Sequence, residues 1–144
     1  MNINPKNGVD ELLFGMKQNH VEHLLGIPNK KFKDEDQNII YMYNEQKLRL
    51  TFYEDEAFRL GYIVVSNSDA TLFDKKLIGR SVKEVIEELP VTVFKTWETA
   101  DEDGIETVFN EDNWLIFISE FDTITKIEVG ALIENDEFVW KFKG

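Results

Sequence analysis

The sequence predicts an α+β fold, a tandem duplication of a helix(-helix)-plus-four-stranded antiparallel sheet unit, with residues 1–68 as the first repeat and 69–144 as the second. Three observations carry that prediction. Asp10, Leu13, Phe14, Gly15, Val21 and Leu25 recur in order and spacing as Asp74, Leu77, Ile78, Gly79, Val85 and Leu89, and such self-similarity is the mark of a repeated unit. Each copy opens on an apolar stripe at helical spacing that stops at a proline, and each continues in apolar residues alternating with period two. A unit of this size buries too little on its own, so the copies are expected to share one core.

The first helix is expected around Val21, Leu24 and Leu25, ended by Gly26 and Pro28, a breaking pair that commonly follows a helix. Its start is weak, because Lys17 stands where a capping residue belongs. The second is better marked: Ser81 and Glu84 form a capping box, and Val82, Val85, Ile86 and Leu89 face the core before Pro90. Short helical turns are expected ahead of each, around Val9 to Phe14 and Ala70 to Leu77, making each unit a helix pair followed by about four strands.

Among the strands, Leu48, Leu50 and Phe52 alternate with Arg49, Thr51 and Tyr53, the pattern of a sheet with one face buried. Aligning Tyr43-Asn44 with Phe109-Asn110 gives Trp114, Ile116 and Ile118 the inward role in the second copy. Arg49, Tyr53, Tyr41 and Phe117 are then expected on the opposite face. Aromatic and arginine side chains on an open face are the types enriched where proteins bind one another.

The formal charge is −12, from 28 acidic against 16 basic residues. Such a field repels nucleic acid and anionic membranes and attracts a basic protein. The expected partner is therefore a protein, with no direct nucleic acid and no membrane. The carboxylates concentrate in turns: Asp34-Glu35-Asp36 and Asp101-Glu102-Asp103 stand at corresponding places in the two copies, and Glu54-Asp55-Glu56 follows a strand. The nine are read as an acidic rim that guides the partner. Turns favour Asp for conformational reasons as well, so the same residues also have a purely structural account.

Catalytic signals are absent. His20 and His23 are the only histidines, three apart, with no third ligand indicated, whereas catalytic zinc needs about three protein ligands. Ser66, Ser68, Ser81 and Ser119 lie in no nucleophile motif, and no glycine loop cradles a phosphate. No enzyme, no cofactor and no metal are expected. With no cysteine, no apolar run behind a basic start and no run of about 20 apolar residues, the chain reads as cytoplasmic.

The segment Phe14-Gly15-Met16 through Val21, Leu24-Leu25-Gly26 and Pro28 resembles the Gly-Met, Val, Leu-Gly, Pro signature of domains that share the β-lactamase inhibitor protein fold, a superfamily that includes a lipoprotein of the outer-membrane assembly machinery. The doubling resembles the inhibitor's architecture over nearly the whole chain, although in the second copy Arg80 stands in the place of Met16 and only Leu89-Pro90 remains of the ending. It implies a fold whose members bind proteins. Joined to the charge, it implies an immunity protein that neutralises a cognate basic toxin or enzyme by occluding its active site. The alternative it leaves open is a structural or adaptor domain in a protein assembly.

Overall fold

A computed structural model describes all 144 residues. The chain forms β1 (Ile3–Asn4), β2 (Gly8–Val9), β3 (Leu12–Leu13), α1 (Gln18–Leu25), β4 (Lys30–Lys33), β5 (Ile39–Tyr43), β6 (Leu48–Tyr53) and β7 (Arg59–Val65). It continues through β8 (Thr71–Leu72), β9 (Lys75–Lys76), α2 (Val82–Glu88), β10 (Glu98–Glu102), β11 (Ile105–Asn110), β12 (Leu115–Glu120), β13 (Thr123–Gly130), β14 (Ile133–Glu134) and β15 (Glu137–Phe138).

The expected tandem of helix-plus-sheet units is corrected by this architecture. The protein is mostly β, with two helices of 8 and 7 residues and one antiparallel sheet of eight strands in the order β10-β11-β12-β13-β7-β6-β5-β4. The second helical turns do not form. The segment up to Leu13 folds as the small sheet β1-β2-β3, and Thr71–Lys76 as the hairpin β8-β9. Phe73 and Asp74 have φ of 51° and 62°, the left-handed pair of a two-residue hairpin turn. An apolar residue every third or fourth position over so short a stretch does not separate a helical turn from such a hairpin.

The eight strands become one sheet at the seam between β7 and β13, where Ile63 faces Val129 and Val65 faces Ile127. One side of the sheet is covered. Leu48, Leu50, Phe52, Leu60, Ile63, Val108, Leu115, Phe117, Ile127 and Val129 point to it and join Val21 of α1 and Val82 and Val85 of α2 in a cluster of 28 buried residues. At about 25 cal/mol per Å² of apolar surface removed from water, this layer is the main source of stability.

The facing of β12 differs from expectation. Leu115, Phe117 and Ser119 are buried, while Trp114, Ile116 and Ile118 are half-buried on the outer face. Trp114 closes the preceding turn with φ 45° and belongs to the turn, so the strand starts one residue later than the alignment implied. Because side chains alternate with period two, one residue of slip exchanges the two faces.

Candidate functional site

Two residues expected on an exposed sheet face are in the core. Phe117 is fully buried and stacks on Trp97 with ring centroids 5.4 Å apart, a consequence of the β12 register. Tyr41 is also fully buried. It shares the inner face of β5 with Tyr43, and its hydroxyl donates to Glu22 Oε2 at 2.6 Å and accepts from Gln18 Nε2 at 2.9 Å. Helix α1 thus supplies the partners that a buried hydroxyl requires. Burial, then Glu22, push this phenol up to about 12. Arg49 is exposed and Tyr53 half-buried, both on the outer face.

The acidic turns divide between opposite ends of the sheet. In an antiparallel meander the β4–β5 and β6–β7 connections share one end, and Glu54 N donating to Asn38 Oδ1 at 3.0 Å joins them. The seam runs β13 antiparallel to β7, which puts the β10–β11 turn carrying Asp101, Glu102 and Asp103 at the other end. Asp34, Glu35 and Asp36 therefore meet Glu54, Asp55 and Glu56 and do not meet Asp101-Glu102-Asp103.

At the first end the turns are built tightly. Asp34 accepts from Asp36 N, Asn38 N and Asn38 Nδ2 at 2.9, 3.0 and 3.2 Å. Partial burial would raise its pKa, but these hydrogen bonds, with the charge of Arg49, outweigh burial and hold the carboxyl below the usual aspartate value. Glu54–Glu56 form a single 3-10 turn, left through Ala57 and Phe58 at φ 55° and 57°.

A third segment completes this end. After Ala131 the chain turns through the β14–β15 hairpin and runs back across the entry to α1, where the amides of Lys141 and Phe142 both donate to Phe14 O at 3.1 and 2.9 Å. Phe138 packs against Tyr53 with the rings tilted by 31° at 5.5 Å and stacks on Trp140 at 4.7 Å. Between this hairpin and the 54–56 turn lies an open cleft of about 580 Å³ lined by Tyr53, Asp55, Glu56, Asp136, Glu137 and Phe138. Burial, followed by the negative charges of Asp34 and Asp55, pushes the Tyr53 hydroxyl up to about 12. Its ring faces a field that disfavours added negative charge.

Four carboxylates around two adjacent aromatic rings suit a lysine or arginine side chain. The cation gains from the carboxylates, and its stem and charge gain from the aromatic faces. No three carboxylates or histidines converge as a metal site anywhere in the molecule. His20 Nδ1 accepts from Lys17 N at 3.1 Å, the bond from the third helical residue back to the amide of the N-cap residue, and its ring packs on Phe142 at 4.6 Å. His23 is exposed. A second cleft of about 580 Å³, lined in part by Val9, Leu12, Leu24 and Leu25, holds only the carboxylates Asp10 and Glu11. Asp10 is already engaged by Asn2 N at 2.7 Å.

Phe138, Asp136 and Glu137 are the site residues that the sequence did not reveal. Glu134-Asn135-Asp136 reads as a turn, but nothing local indicates that it folds back some 80 residues against Tyr53, from position 136 to position 53.

No family model and no curated protein sequence matches the chain. Solved structures do. The chain superposes with a TM-score of 0.55 and 11% identity on an extracellular protein containing an SCP domain from Bacillus anthracis, covering 90% of this chain and 50% of that one. It superposes with a TM-score of 0.53 and 12% identity on a cysteine-rich secretory protein from Staphylococcus aureus, covering 90% of this chain and 48% of that one. The likeness is one of fold, and the chain spans about half the length of each. These superpositions overturn the resemblance to the β-lactamase inhibitor protein fold and remove the fold-based support for an inhibitor or immunity protein. The Gly-Met…Leu-Gly-x-Pro signature describes the entry and stop of an eight-residue helix and carries no information about how the strands are ordered.

Proposed function

We propose that this domain is a non-enzymatic protein-binding module that receives a basic segment of a partner protein in the cleft between the 54–56 turn and the β14–β15 hairpin. The observation that carries the reading is the tilted Tyr53–Phe138 ring pair, 5.5 Å between centroids, set among Asp55, Glu56, Asp136 and Glu137. The charge of −12 supports it by steering a basic partner toward the molecule. An adaptor role within a larger chain is the second reading, and the observation that favours it is that the solved structures of the same fold are about twice as long. In that case the basic segment belongs to a permanent neighbour.

The test is an amide-shift titration of the labelled domain with a lysine- and arginine-rich peptide, at about 0.05 M and about 0.5 M salt. Shifts centred on Tyr53, Asp55 and Asp136 to Phe138, weakened by salt, are expected. Replacing Asp55, Glu56, Asp136 and Glu137 by their amides should abolish them, while the same change at Asp101, Glu102 and Asp103 should not. Shifts scattered over all acidic turns, or binding that survives loss of the four cleft carboxylates, would refute the assignment.

A further inference from the structure

The two edges of the eight-stranded sheet carry opposite charge. The β4 edge is Lys30-Lys31-Phe32-Lys33, with all three lysines exposed. The β10 edge is Glu98-Thr99-Ala100-Asp101-Glu102, exposed throughout. Every ion pair within 4 Å is made by Lys75, Lys76 or Arg80, so the three edge lysines are unpaired although the chain has 28 acidic residues. Lys30 and Lys31 rest instead over the rings of Phe32 and Tyr41, 5.1 and 5.6 Å from the centroids.

Edge strands present unpaired backbone donors and acceptors, and charge on them ordinarily prevents association. Here it prevents only like with like. Two β4 edges would set lysine against lysine, and two β10 edges carboxylate against carboxylate, whereas β4 against β10 is attractive. The strand count makes that contact continuous with the sheet. Eight strands, antiparallel throughout, leave β4 running opposite to β10 along the sheet, so a second copy that follows the sheet's twist continues the antiparallel order. From the observed pairings, Lys30, Phe32, Ala100 and Glu102 share the outer face, and Lys31, Lys33, Thr99 and Asp101 the inner. Opposing Lys30 to Glu102 then brings Lys31 to Asp101, Phe32 to Ala100 and Lys33 to Thr99. Each pair lies on a matching face, and two of them join opposite charges.

We infer that β4 of one molecule pairs with β10 of a second copy of this chain, continuing the sheet head to tail. The interface is heterologous. With a twist of about 20–25° per strand, each copy turns by roughly half a revolution, which favours open chains over closed dimers.

The net charge sets the salt dependence. At about 0.01 M salt the long-range repulsion between two molecules of charge −12 opposes association. At about 0.15 M the Debye length is about 8 Å, which screens that repulsion and leaves direct pairs in force. At about 1 M both are screened.

Sedimentation velocity on the intact chain at rising concentration should therefore show association strongest near the middle salt. Charge reversal of β4 (Lys30→Glu, Lys31→Glu, Lys33→Glu) or of β10 (Glu98→Lys, Asp101→Lys, Glu102→Lys) should weaken it about tenfold or more. An equimolar mixture of the two reversed proteins should associate again, since each supplies the edge that the other needs. Amide exchange in the native chain gives a readout that does not depend on those variants folding. Protection at Lys30–Lys33 and Glu98–Glu102 should rise with concentration while the inner strands stay unchanged. A chain that sediments as a monomer at all three salts up to millimolar concentration, or association indifferent to the reversals and without edge protection, would overturn the inference.

Discussion

The two ends of the sheet have similar acidic composition and very different construction. At one, Asp34 is held by three hydrogen bonds, Glu54 is tied to Asn38, and the β14–β15 hairpin folds over so that carboxylates surround the paired rings of Tyr53 and Phe138. At the other, Asp101, Glu102 and Asp103 are exposed and make no side-chain hydrogen bond, and Phe121 stands 98% exposed at the β12–β13 turn. A carboxylate in a turn is therefore not informative by itself. What separates a built cleft from a solvated turn is the third segment that crosses it.

The largest difference is expected at two glycines, one for each end. Gly15 has φ 106°, and a Cβ there would lie 2.6 Å from Phe142 O and 3.0 Å from Trp140 Cβ, within the C-terminal segment that follows the β14–β15 hairpin. Gly104 has φ 86° with nothing within 4 Å of an added Cβ. Gly15→Ala should cost about 3 kcal/mol, from the left-handed backbone and from displacement of that segment. Gly104→Ala should cost only the backbone part, about 1 kcal/mol. Urea unfolding measures both. Equal losses would mean that the C-terminal segment adds nothing to the first end.

Phe138→Ala comes next. It removes the ring contacts with Tyr53 and Trp140 and should cost about 2 kcal/mol, less than a fully buried phenylalanine because Phe138 is half-buried. It should also weaken the basic peptide while leaving the far end unchanged, read from shifts near Tyr53 and near Asp103.

Asp34→Asn is a smaller change, about 1 kcal/mol at neutral pH, through the loss of charge on its three hydrogen bonds. Its pH dependence has a definite sign. The folded pKa is depressed, so the stabilisation is full above the unfolded aspartate value of about 3.9 and is lost as pH falls from there through the folded value. The difference in stability between native protein and Asp34→Asn should therefore shrink on acidification through that window. Asp103→Asn should shift stability by less than about 0.5 kcal/mol at neutral pH.

The sequence made the inner face of β6 legible, because Leu48, Leu50 and Phe52 alternate without interruption and all three are buried. Helix α2 was legible for a chemical reason: Ser81 Oγ accepts from Glu84 N at 3.4 Å, the bond that the Ser-x-x-Glu pattern implies. The facing of β12 was not, because it depends on whether Trp114 ends a turn or begins a strand, and that is set by a φ of 45° that its identity does not announce. The strand order was hidden as well. The β7–β13 seam pairs residues about 60 positions apart, Val65 with Ile127 for example, and no local pattern encodes such a contact. The cleft was half legible for the same reason. Asp55, Glu56 and Tyr53 stood out as acidic turn and outward aromatic, and their partners Asp136, Glu137 and Phe138 arrive from the far end of the chain.

A small effect of the opposite sign is expected at Phe121. Phe121 and Asp122 have φ of 50° and 63°, values that asparagine and glycine adopt readily and a bulky side chain does not. The ring recovers nothing for that strain, being 98% exposed. The anchoring contacts of this turn belong to its neighbours: Asp122 Oδ2 accepts from Ser81 Oγ, and Val82 N donates to Asp122 O at 3.0 Å. Phe121→Asn should therefore leave the start of α2 intact and stabilise the fold by about 0.5 kcal/mol. A small gain, measured by urea unfolding, would show that this end of the sheet retains an aromatic side chain that folding does not need. A loss would show that the ring has intramolecular contacts in solution, and the contrast between a built end and a bare one would have to be redrawn at this turn.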